Sequence, residues 1–159
     1  MIGNDIVDLK LAKIESNWQR KNFLNKIFTK SEQLIILNAT NPEIMVWNLW
    51  SRKEAAYKIW NRKTQIRSYN PIQFECFYTE KKIGLVRVFN EVYYVKTIVN
   101  QQFIYSIAVT NQFQFDFVKT ISKNEIVKRN GLPYFINPKN SQLIISITNH
   151  GDFEKIIMI

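Results

Sequence analysis

One segment near the middle of the chain constrains the fold more than any other. Residues 49–60 read LWSRKEAAYKIW and combine a helical repeat of apolar side chains with a carboxylate and two ammonium groups. The segment is predicted to lie within a helix that runs from Pro42 to about Asn61, because proline is favoured in the first turn of a helix. The apolar residues recur at the i, i+3, i+4, i+7 spacing of one buried face: Leu49, Trp50, Ala56, Tyr57 and Trp60.

The charged residues of this helix do not all lie on its solvent side. Glu54 and Lys58 are four residues apart, so they lie one above the other at the rim of the apolar face. Lys53 falls inside the apolar arc. A Glu–Lys pair at this spacing is commonly an ordinary surface ion pair. The helix alone therefore leaves both a structural and a functional interpretation open.

The N-terminal segment places an acid in an apolar environment. Residues 2–9 read IGNDIVDL and are predicted to form a short strand or a strand-to-helix turn. Burying Asp5 there is costly unless it has a partner. Asp5 either caps the following helix or meets such a partner, and Asp8 is better placed for the capping role.

The predicted helix over residues 10–28 has one apolar and one basic face. Apolar residues recur at Leu11, Ile14, Trp18, Leu24 and Phe28. The basic positions are Lys10, Lys13, Arg20, Lys21 and Lys26. This basic face is either a solvated surface or a docking surface for an acidic partner.

The remaining elements indicate a mixed fold. Thr29 and Glu32 form a capping box that starts a further helix. Residues 72–109 contain four strand-like runs that predict an antiparallel meander, and a short helix is expected within residues 112–122. Asn130-Gly131 indicates a hairpin, and two last strands are joined by residues 149–152. We predict one domain, residues 1–159, of α+β class, with an antiparallel sheet packed against the long central helix.

Composition limits the functional classes. The net charge of +9 favours polyanionic partners, but no block of basic residues resembles an arm that tracks nucleic acid, so no nucleic-acid partner is expected.

The single cysteine, Cys76, excludes an intramolecular disulfide and is expected to be a buried structural thiol. No apolar run is long enough to span a membrane, and the acidic start does not resemble a signal peptide. We therefore expect a cytoplasmic protein without a membrane partner.

Three pieces of the sequence together resemble one known family. IGNDIVDL at residues 2–9, WSRKEAAYK at residues 50–58 and SITNHGDF at residues 146–153 are similar, in order and spacing, to the signature of the 4'-phosphopantetheinyl transferases. The piece from Phe28 to Glu32 also resembles the family's F-T-x-x-E. The residue two after Asp5 is Val7 and not Glu, which resembles the single-copy holo-acyl-carrier-protein synthase branch.

The resemblance implies a reaction and a metal site. Such an enzyme transfers the 4'-phosphopantetheine arm of coenzyme A to a serine of an acidic apo acyl or peptidyl carrier protein and releases 3',5'-ADP, as in fatty acid biosynthesis. By this resemblance Asp5 and Glu54 would bind Mg²⁺, which prefers carboxylates together with phosphate oxygens and water. Glu54 and Lys58 would be the catalytic residues, with Glu54 or a metal-bound water as the base. The alternative is a non-catalytic module of the same fold that binds a carrier protein or coenzyme A.

The resemblance also implies binding surfaces. The coenzyme A set would comprise Lys53, Lys58, Ser146, Thr148, Asn149 and His150, and the carrier-docking set Lys10, Lys13, Arg20 and Lys21. The family's S-x-S-H-x-G has a histidine where this chain has Asn149. Either His150 turns toward the phosphates or Asn149 donates a neutral hydrogen bond in its place. Single-copy members build their sites between subunits, so a homo-oligomer is expected, with a trimer possible.

Overall fold

The computed structural model describes residues 1–78, 83–122, 126–136 and 142–159. These residues form four α-helices and ten strands in two antiparallel sheets. The helices are α1 (Leu9–Glu15), α2 (Phe23–Ile27), α3 (Lys30–Leu37) and α4 (Pro42–Thr64). The strands are β1 (Ile2–Asp8), β2 (Glu75–Tyr78), β3 (Ile83–Val88), β4 (Glu91–Val99), β5 (Phe103–Val109), β6 (Lys119–Thr120), β7 (Ile126–Arg129), β8 (Leu132–Ile136), β9 (Gln142–His150) and β10 (Phe153–Met158).

The α+β prediction is confirmed, with two sheets in place of the single one expected. The first sheet has the order β1-β5-β4-β3-β2, and its last four strands are the predicted meander. The second has the order β6-β10-β9-β8-β7. None of the helices in the described ranges combines the length and the apolar character needed to cross a membrane.

Helix α4 is the element on which the first sheet packs. It begins as predicted, with Pro42 in its first turn and the Asn41 side chain accepting from the Ile44 amide, and it runs three residues beyond Asn61. Its buried face includes Leu49, Ala56 and Ile59, all without solvent exposure. Strand β1 lies so close to this helix that a Cβ on Gly3 would lie 2.1 Å from the Ala55 carbonyl oxygen. Glycine at this position therefore allows the strand to reach the helix.

The segment after β1 corrects the prediction of one helix over residues 10–28. Helix α1 starts after Asp8, whose carboxylate accepts from the Lys10 and Leu11 amides, as the sequence predicted. It ends at Ser16, which is extended, and α2 starts only after Asn22, whose φ is 67°. Ser and Asn side chains compete for backbone hydrogen bonds and favour turns over helix interiors. The predicted basic face is therefore divided among α1, the connecting residues 16–22 and α2, which carries Lys26.

Local signals elsewhere agree with the structure. The capping box of Thr29 and Glu32 is present in full at the start of α3. Asn130 and Gly131 both adopt left-handed backbone angles and join β7 to β8, as expected for a two-residue hairpin loop. The short helix expected within residues 112–122 is a 3₁₀ helix, Gln112–Phe117. Residues 149 and 150 belong to strand β9, so the last turn is shorter than predicted.

Cys76 behaves as the sequence predicted. Its thiol is buried in β2 and hydrogen-bonds to the Leu49 carbonyl at 3.7 Å. Burial raises the pKa of this thiol to about 12. Since the thiolate is the reactive form, Cys76 is a structural residue and not a nucleophile.

Candidate active site

The two sheets meet where strand β9 lies along the free edge of β1. β1 pairs with β5 on one side only, so alternate amides on its other edge need acceptors. Side chains from alternate residues of β9 supply them. The three hydrogen bonds run from Asn4 N to Ser146 Oγ (3.0 Å), from Ile6 N to Thr148 Oγ1 (3.1 Å) and from Asp8 N to His150 Nδ1 (2.8 Å). The first and third sequence motifs are therefore joined within one chain.

The same contact brings together the charged residues that the motifs predicted. Asp5 on β1 has its Oδ1 atom 3.6 Å from Nζ of Lys58 on α4. Thr148 donates a hydrogen bond to that same carboxylate oxygen at 3.2 Å. Lys58 Nζ also donates to the carbonyl oxygens of Asn4, at 2.6 Å, and Ile147, at 3.1 Å. The ammonium group thus bridges β1 and β9 from the helix.

Glu54 lies one helical turn before Lys58 and belongs to the same cluster. Burial raises the pKa of Glu54 to about 7, with the negative charge of Asp5 as a second cause. Burial also raises the pKa of Asp5 to about 6, against the opposing effects of Lys58 and Thr148. No hydrogen bond or ion pair to Glu54 occurs within the described parts of the chain. Two partly buried carboxylates that repel one another favour a cation between them.

Two clefts adjoin this cluster. The first, of about 330 Å³, is lined by the carboxylates of Asp5 and Glu54, and its walls include Phe23, Trp47 and Trp50. The second, of about 310 Å³, is lined by Lys58 and by residues of α4, β8 and β9. Asn149 lines both clefts and is exposed. The residue at the motif's histidine position therefore lies where the two clefts meet.

His150 has a different position from Asn149. Its Nδ1 accepts from the Asp8 amide, so in the neutral ring the proton lies on Nε2, which is 3.3 Å from Glu15 Oε2. The imidazole lines the first cleft only. One ring nitrogen is thus used to hold β1, and the other faces a carboxylate.

Lys53 requires a correction. Both it and Glu32 have 0% side-chain exposure, and Lys53 Nζ is 2.8 Å from Glu32 Oε2. The ammonium also donates to the carbonyl oxygens of Pro71 at 3.0 Å and Phe74 at 2.6 Å. With every donor directed at an internal acceptor, Lys53 cannot reach a phosphate without breaking these bonds. We therefore assign Lys53 a structural role and no longer count it among the residues expected to bind coenzyme A.

The four residues predicted to dock a carrier are exposed but do not share one helix. Lys10 and Lys13 lie on α1, and Lys13 approaches Glu43 at 3.8 Å. Arg20 and Lys21 lie in the connecting segment, where the Arg20 guanidinium lies 5.1 Å from the centre of the Phe23 ring. Arg20 also lines the first cleft. Of the four, Arg20 is therefore the residue that lies at this cleft.

Several lining residues were missed from the sequence. Trp50 was interpreted as a core residue, and Trp47, Arg62 and Lys128 were not singled out. Arg62 follows Lys58 by four residues, so helical spacing alone would have placed both on one face. No sequence spacing links Lys128 to these residues, because it lies on β7, which is brought near α4 only when the chain folds.

Known proteins resemble this chain in sequence and in fold. A family model described as "4'-phosphopantetheinyl transferase superfamily" matches residues 1–118. A holo-[acyl-carrier-protein] synthase from Protochlamydia amoebophila (strain UWE25) is 37% identical over 57 residues, which cover 36% of this chain and 47% of the relative. The chain therefore aligns with just under half of the length of that curated relative.

Solved structures share the fold at low sequence identity. The apo-ACPS structure from Chronobacterium ammoiniagenes has a TM-score of 0.55 at 12% identity, covering 68% of this chain and 93% of that one. The Helicobacter pylori holo-[acyl-carrier-protein] synthase in complex with coenzyme A has a TM-score of 0.53 at 15% identity, with coverage of 70% and 100%. The Thermotoga maritima holo-[acyl-carrier-protein] synthase has a TM-score of 0.54 at 13% identity, with coverage of 99% and 82%.

These likenesses confirm the predicted fold. The family model covers well over half of the chain and includes two of the three motifs, those that supply Asp5, Glu54 and Lys58. The chain belongs to the 4'-phosphopantetheinyl transferase superfamily.

Proposed function

We propose that this protein transfers the 4'-phosphopantetheine arm of coenzyme A to a serine of an apo carrier protein. The serine oxygen forms a bond to the β-phosphorus, the bond from that phosphorus to the α-phosphate oxygen breaks, and 3',5'-ADP leaves with the electron pair. The observation that carries the proposal is the meeting of Asp5, Glu54 and Lys58 beside one cleft. Phosphoryl transfer depends mainly on positioning and charge neutralisation, which this cluster can supply.

The donor set fits Mg²⁺. Within the described residues, no group of three or more His, Cys, Asp or Glu side chains could hold a metal. Two carboxylates, Asp5 and Glu54, remain, and burial raises the pKa of both, which favours a bound cation beside them. Mg²⁺ commonly binds through one or two carboxylates and completes its shell with water and substrate phosphate. When bound, the ion would neutralise charge on the diphosphate.

The chain's own residues supply the remaining steps. Lys58 is held by two carbonyl oxygens and can offset the negative charge that grows on the α-phosphate of the leaving 3',5'-ADP. Glu54 lines the first cleft and can accept the serine proton, directly or through a water molecule. Asn149 can donate a neutral hydrogen bond where the two clefts meet.

The proposed carrier surface comprises Lys10, Lys13, Arg20 and Lys21. All four are exposed and Arg20 lines the first cleft, which suits an acidic partner. Steering by exposed charges weakens as salt is added. A homo-oligomer, a cytoplasmic location and a role in fatty acid biosynthesis stay predictions. All three motifs contact one another within one chain.

The test is the intact mass of a panel of apo carrier proteins after incubation with the protein, coenzyme A and Mg²⁺. We expect a gain equal to the phosphopantetheine arm that disappears in Glu54→Ala and with a chelator. Asp116→Ala, an exposed carboxylate far along the chain, is the matched control and should retain the gain. Coenzyme A binding without a gain on any carrier would contradict transfer and support the non-catalytic module, which the replacement of the motif histidine by Asn149 favours.

A further inference from the structure

The segment that joins α4 to β2 is fixed to the helix at two points. Near its start, the Tyr57 hydroxyl donates a hydrogen bond of 2.8 Å to the Arg67 carbonyl oxygen. Near its end, the buried Lys53 ammonium donates to the Pro71 carbonyl oxygen at 3.0 Å. The residues between these two points are therefore held against α4, and Tyr69 is one of them.

The ring of Tyr69 lies over the part of α4 that carries Glu54. Trp50, Glu54 and Tyr57 are spaced i, i+4 and i+7, so they form one stripe along the helix. The centre of the Tyr69 ring lies 5.9 Å from that of Trp50 and 4.5 Å from that of Tyr57. Because Tyr69 contacts the residue on each side of Glu54 in this stripe, its ring spans the position of the carboxylate.

The Tyr69 hydroxyl is buried and has no hydrogen-bond partner within the described residues. Burial raises the pKa of this hydroxyl well above its usual value, and the negative charge of Glu54 is the second cause. Glu54 likewise has no hydrogen bond or ion pair in the described parts of the chain. A donor without an acceptor and a carboxylate without a donor therefore lie on the same part of the helix surface. A buried donor that stays unpaired costs free energy.

A second buried tyrosine shows what is particular about Tyr69. The Tyr93 hydroxyl also lacks a hydrogen-bond partner within the described ranges. Burial raises the pKa of Tyr93 too, but the carboxylate that contributes there is Glu91, which is already paired with Lys63. An unpartnered hydroxyl alone therefore does not indicate a role in the site. The unpaired carboxylate beside Tyr69 does.

We propose that Tyr69 is a positioning residue for Glu54, with its hydroxyl donating a hydrogen bond to the Glu54 carboxylate, directly or through one water molecule, when that carboxylate binds a divalent cation. This inference rests on the proposed function for the role of Glu54. Carboxylates that bind metals are themselves held by hydrogen bonds, and loss of such a partner weakens metal binding about 10-fold to 100-fold. Lys53 contributes indirectly, because its hydrogen bonds hold the segment that carries Tyr69.

The first test compares Tyr69→Phe with Tyr93→Phe, since each variant removes one buried hydroxyl and keeps the ring. Mn²⁺ is the probe because it takes the same oxygen ligands as Mg²⁺, and electron paramagnetic resonance measures its free form. On the full chain with coenzyme A present, Tyr69→Phe should bind Mn²⁺ about tenfold more weakly than the wild-type protein. Tyr93→Phe should keep the wild-type affinity. Equal affinities in all three proteins would overturn the proposal.

Thermal unfolding without divalent cations separates positioning from packing. Removing a buried hydroxyl that has no partner should leave the melting temperature of both variants unchanged or raise it, because the buried group no longer needs an acceptor. Weaker Mn²⁺ binding in Tyr69→Phe at an undiminished melting temperature supports positioning. A lower melting temperature in Tyr69→Phe alone would assign the hydroxyl a structural role and overturn the proposal.

Transfer kinetics distinguish this inference from the proposed reaction. Tyr69→Phe should raise the Mg²⁺ concentration that gives half of the maximal rate about tenfold, and saturating Mg²⁺ should restore much of the rate. Tyr93→Phe should need no additional Mg²⁺. Transfer with the wild-type Mg²⁺ dependence in Tyr69→Phe would overturn the positioning role and leave the transferase in place. Absence of transfer to any carrier, together with Mn²⁺ binding that depends on the Tyr69 hydroxyl, would support the positioning role and overturn the reaction.

Discussion

Helix α4 carries two lysine–carboxylate pairs five residues apart that have opposite properties. Lys53 and Glu32 are wholly buried, and three internal acceptors surround the ammonium group. Lys58 and Asp5 keep side-chain exposures of 30% and 13%, are 3.6 Å apart, and face clefts. A pair whose hydrogen bonds are all made within the protein holds elements together. A partly exposed pair beside a cleft can make further hydrogen bonds and ionic contacts, and it is therefore available to a ligand.

The buried pair is expected to give the largest effect, on stability. Lys53→Ala leaves Glu32 buried without its cation and should lower the free energy of unfolding by about 3–5 kcal/mol. Chemical denaturation measures this loss. The double variant Lys53→Met with Glu32→Leu should recover part of it, because an apolar pair of similar volume avoids the unpaired charge. A loss below about 1 kcal/mol in Lys53→Ala would contradict a structural role for the pair.

The cleft-facing pair should show the reverse pattern. Lys58→Ala removes a partly solvated cation together with its hydrogen bonds to two carbonyl oxygens, so the free energy of unfolding should fall by about 1–2 kcal/mol, less than in Lys53→Ala. Transfer should fall by about 10²-fold in kcat, the usual effect of losing one group that stabilises transition-state charge. Single-turnover kinetics with a carrier substrate measures the second effect. If Lys58→Ala lost as much stability as Lys53→Ala, this would contradict the distinction between a structural pair and a pair available to a ligand.

A pH series at the cleft tests the repulsion between Asp5 and Glu54. Both folded-state pKa values, about 6 and about 7, lie above the ordinary values of 3.8 and 4.5. The folded chain therefore binds more protons than the unfolded chain between about pH 4 and 7, and stability without Mg²⁺ should fall as pH rises through this window. Denaturation at several pH values should show this fall, of about 1 kcal/mol or more, since one pKa unit corresponds to about 1.36 kcal/mol.

Removal of one carboxylate supplies the control for this series. Glu54→Gln should flatten the pH dependence, because the neutral amide neither titrates nor raises the pKa of Asp5. Asp116→Asn, at an exposed position, should keep the wild-type slope. Stability that rises from about pH 5 to about pH 7.5 in the wild-type protein would contradict burial and mutual repulsion of the two carboxylates as the source of the raised pKa values. Mg²⁺ should reduce the slope if the two carboxylates bind it.

Sequence reasoning succeeded where the signal is local. The start of α4 at Pro42, the capping box at Thr29 and the hairpin at Asn130-Gly131 each depend on a few neighbouring residues. The motif around Asp5 and the motif around Glu54 also supplied the central cluster. Their contact follows from Gly3, which lets β1 lie against the helix backbone.

The incorrect or missed predictions concern residues whose roles depend on contacts with distant parts of the chain. The role of Lys53 depends on Glu32, which is 21 residues away, and on the carbonyl groups that follow α4. Ser146 and Thr148 serve the free edge of β1, 142 residues away, and no sequence pattern shows that this edge lacks a strand partner. Helical periodicity also continued through residues 16–22, where Ser and Asn end α1 in the structure.

The smallest effect is expected at Asn149, the exposed residue at the junction of the clefts. Asn149→His restores the residue type of the family motif and adds a partial positive charge near pH 6.5, where imidazole ordinarily titrates. It should lower KM for coenzyme A about twofold to fivefold, the effect of one solvated charge contact, and more at about pH 6 than at about pH 8. Asn149→Ala should raise KM instead. Transfer kinetics at both pH values, with Gln101→His as a matched control at an exposed neutral residue, would expose a general charge effect by an equal gain in the control. A pH-independent gain in Asn149→His would mean that hydrogen bonding, and not charge, is what Asn149 supplies.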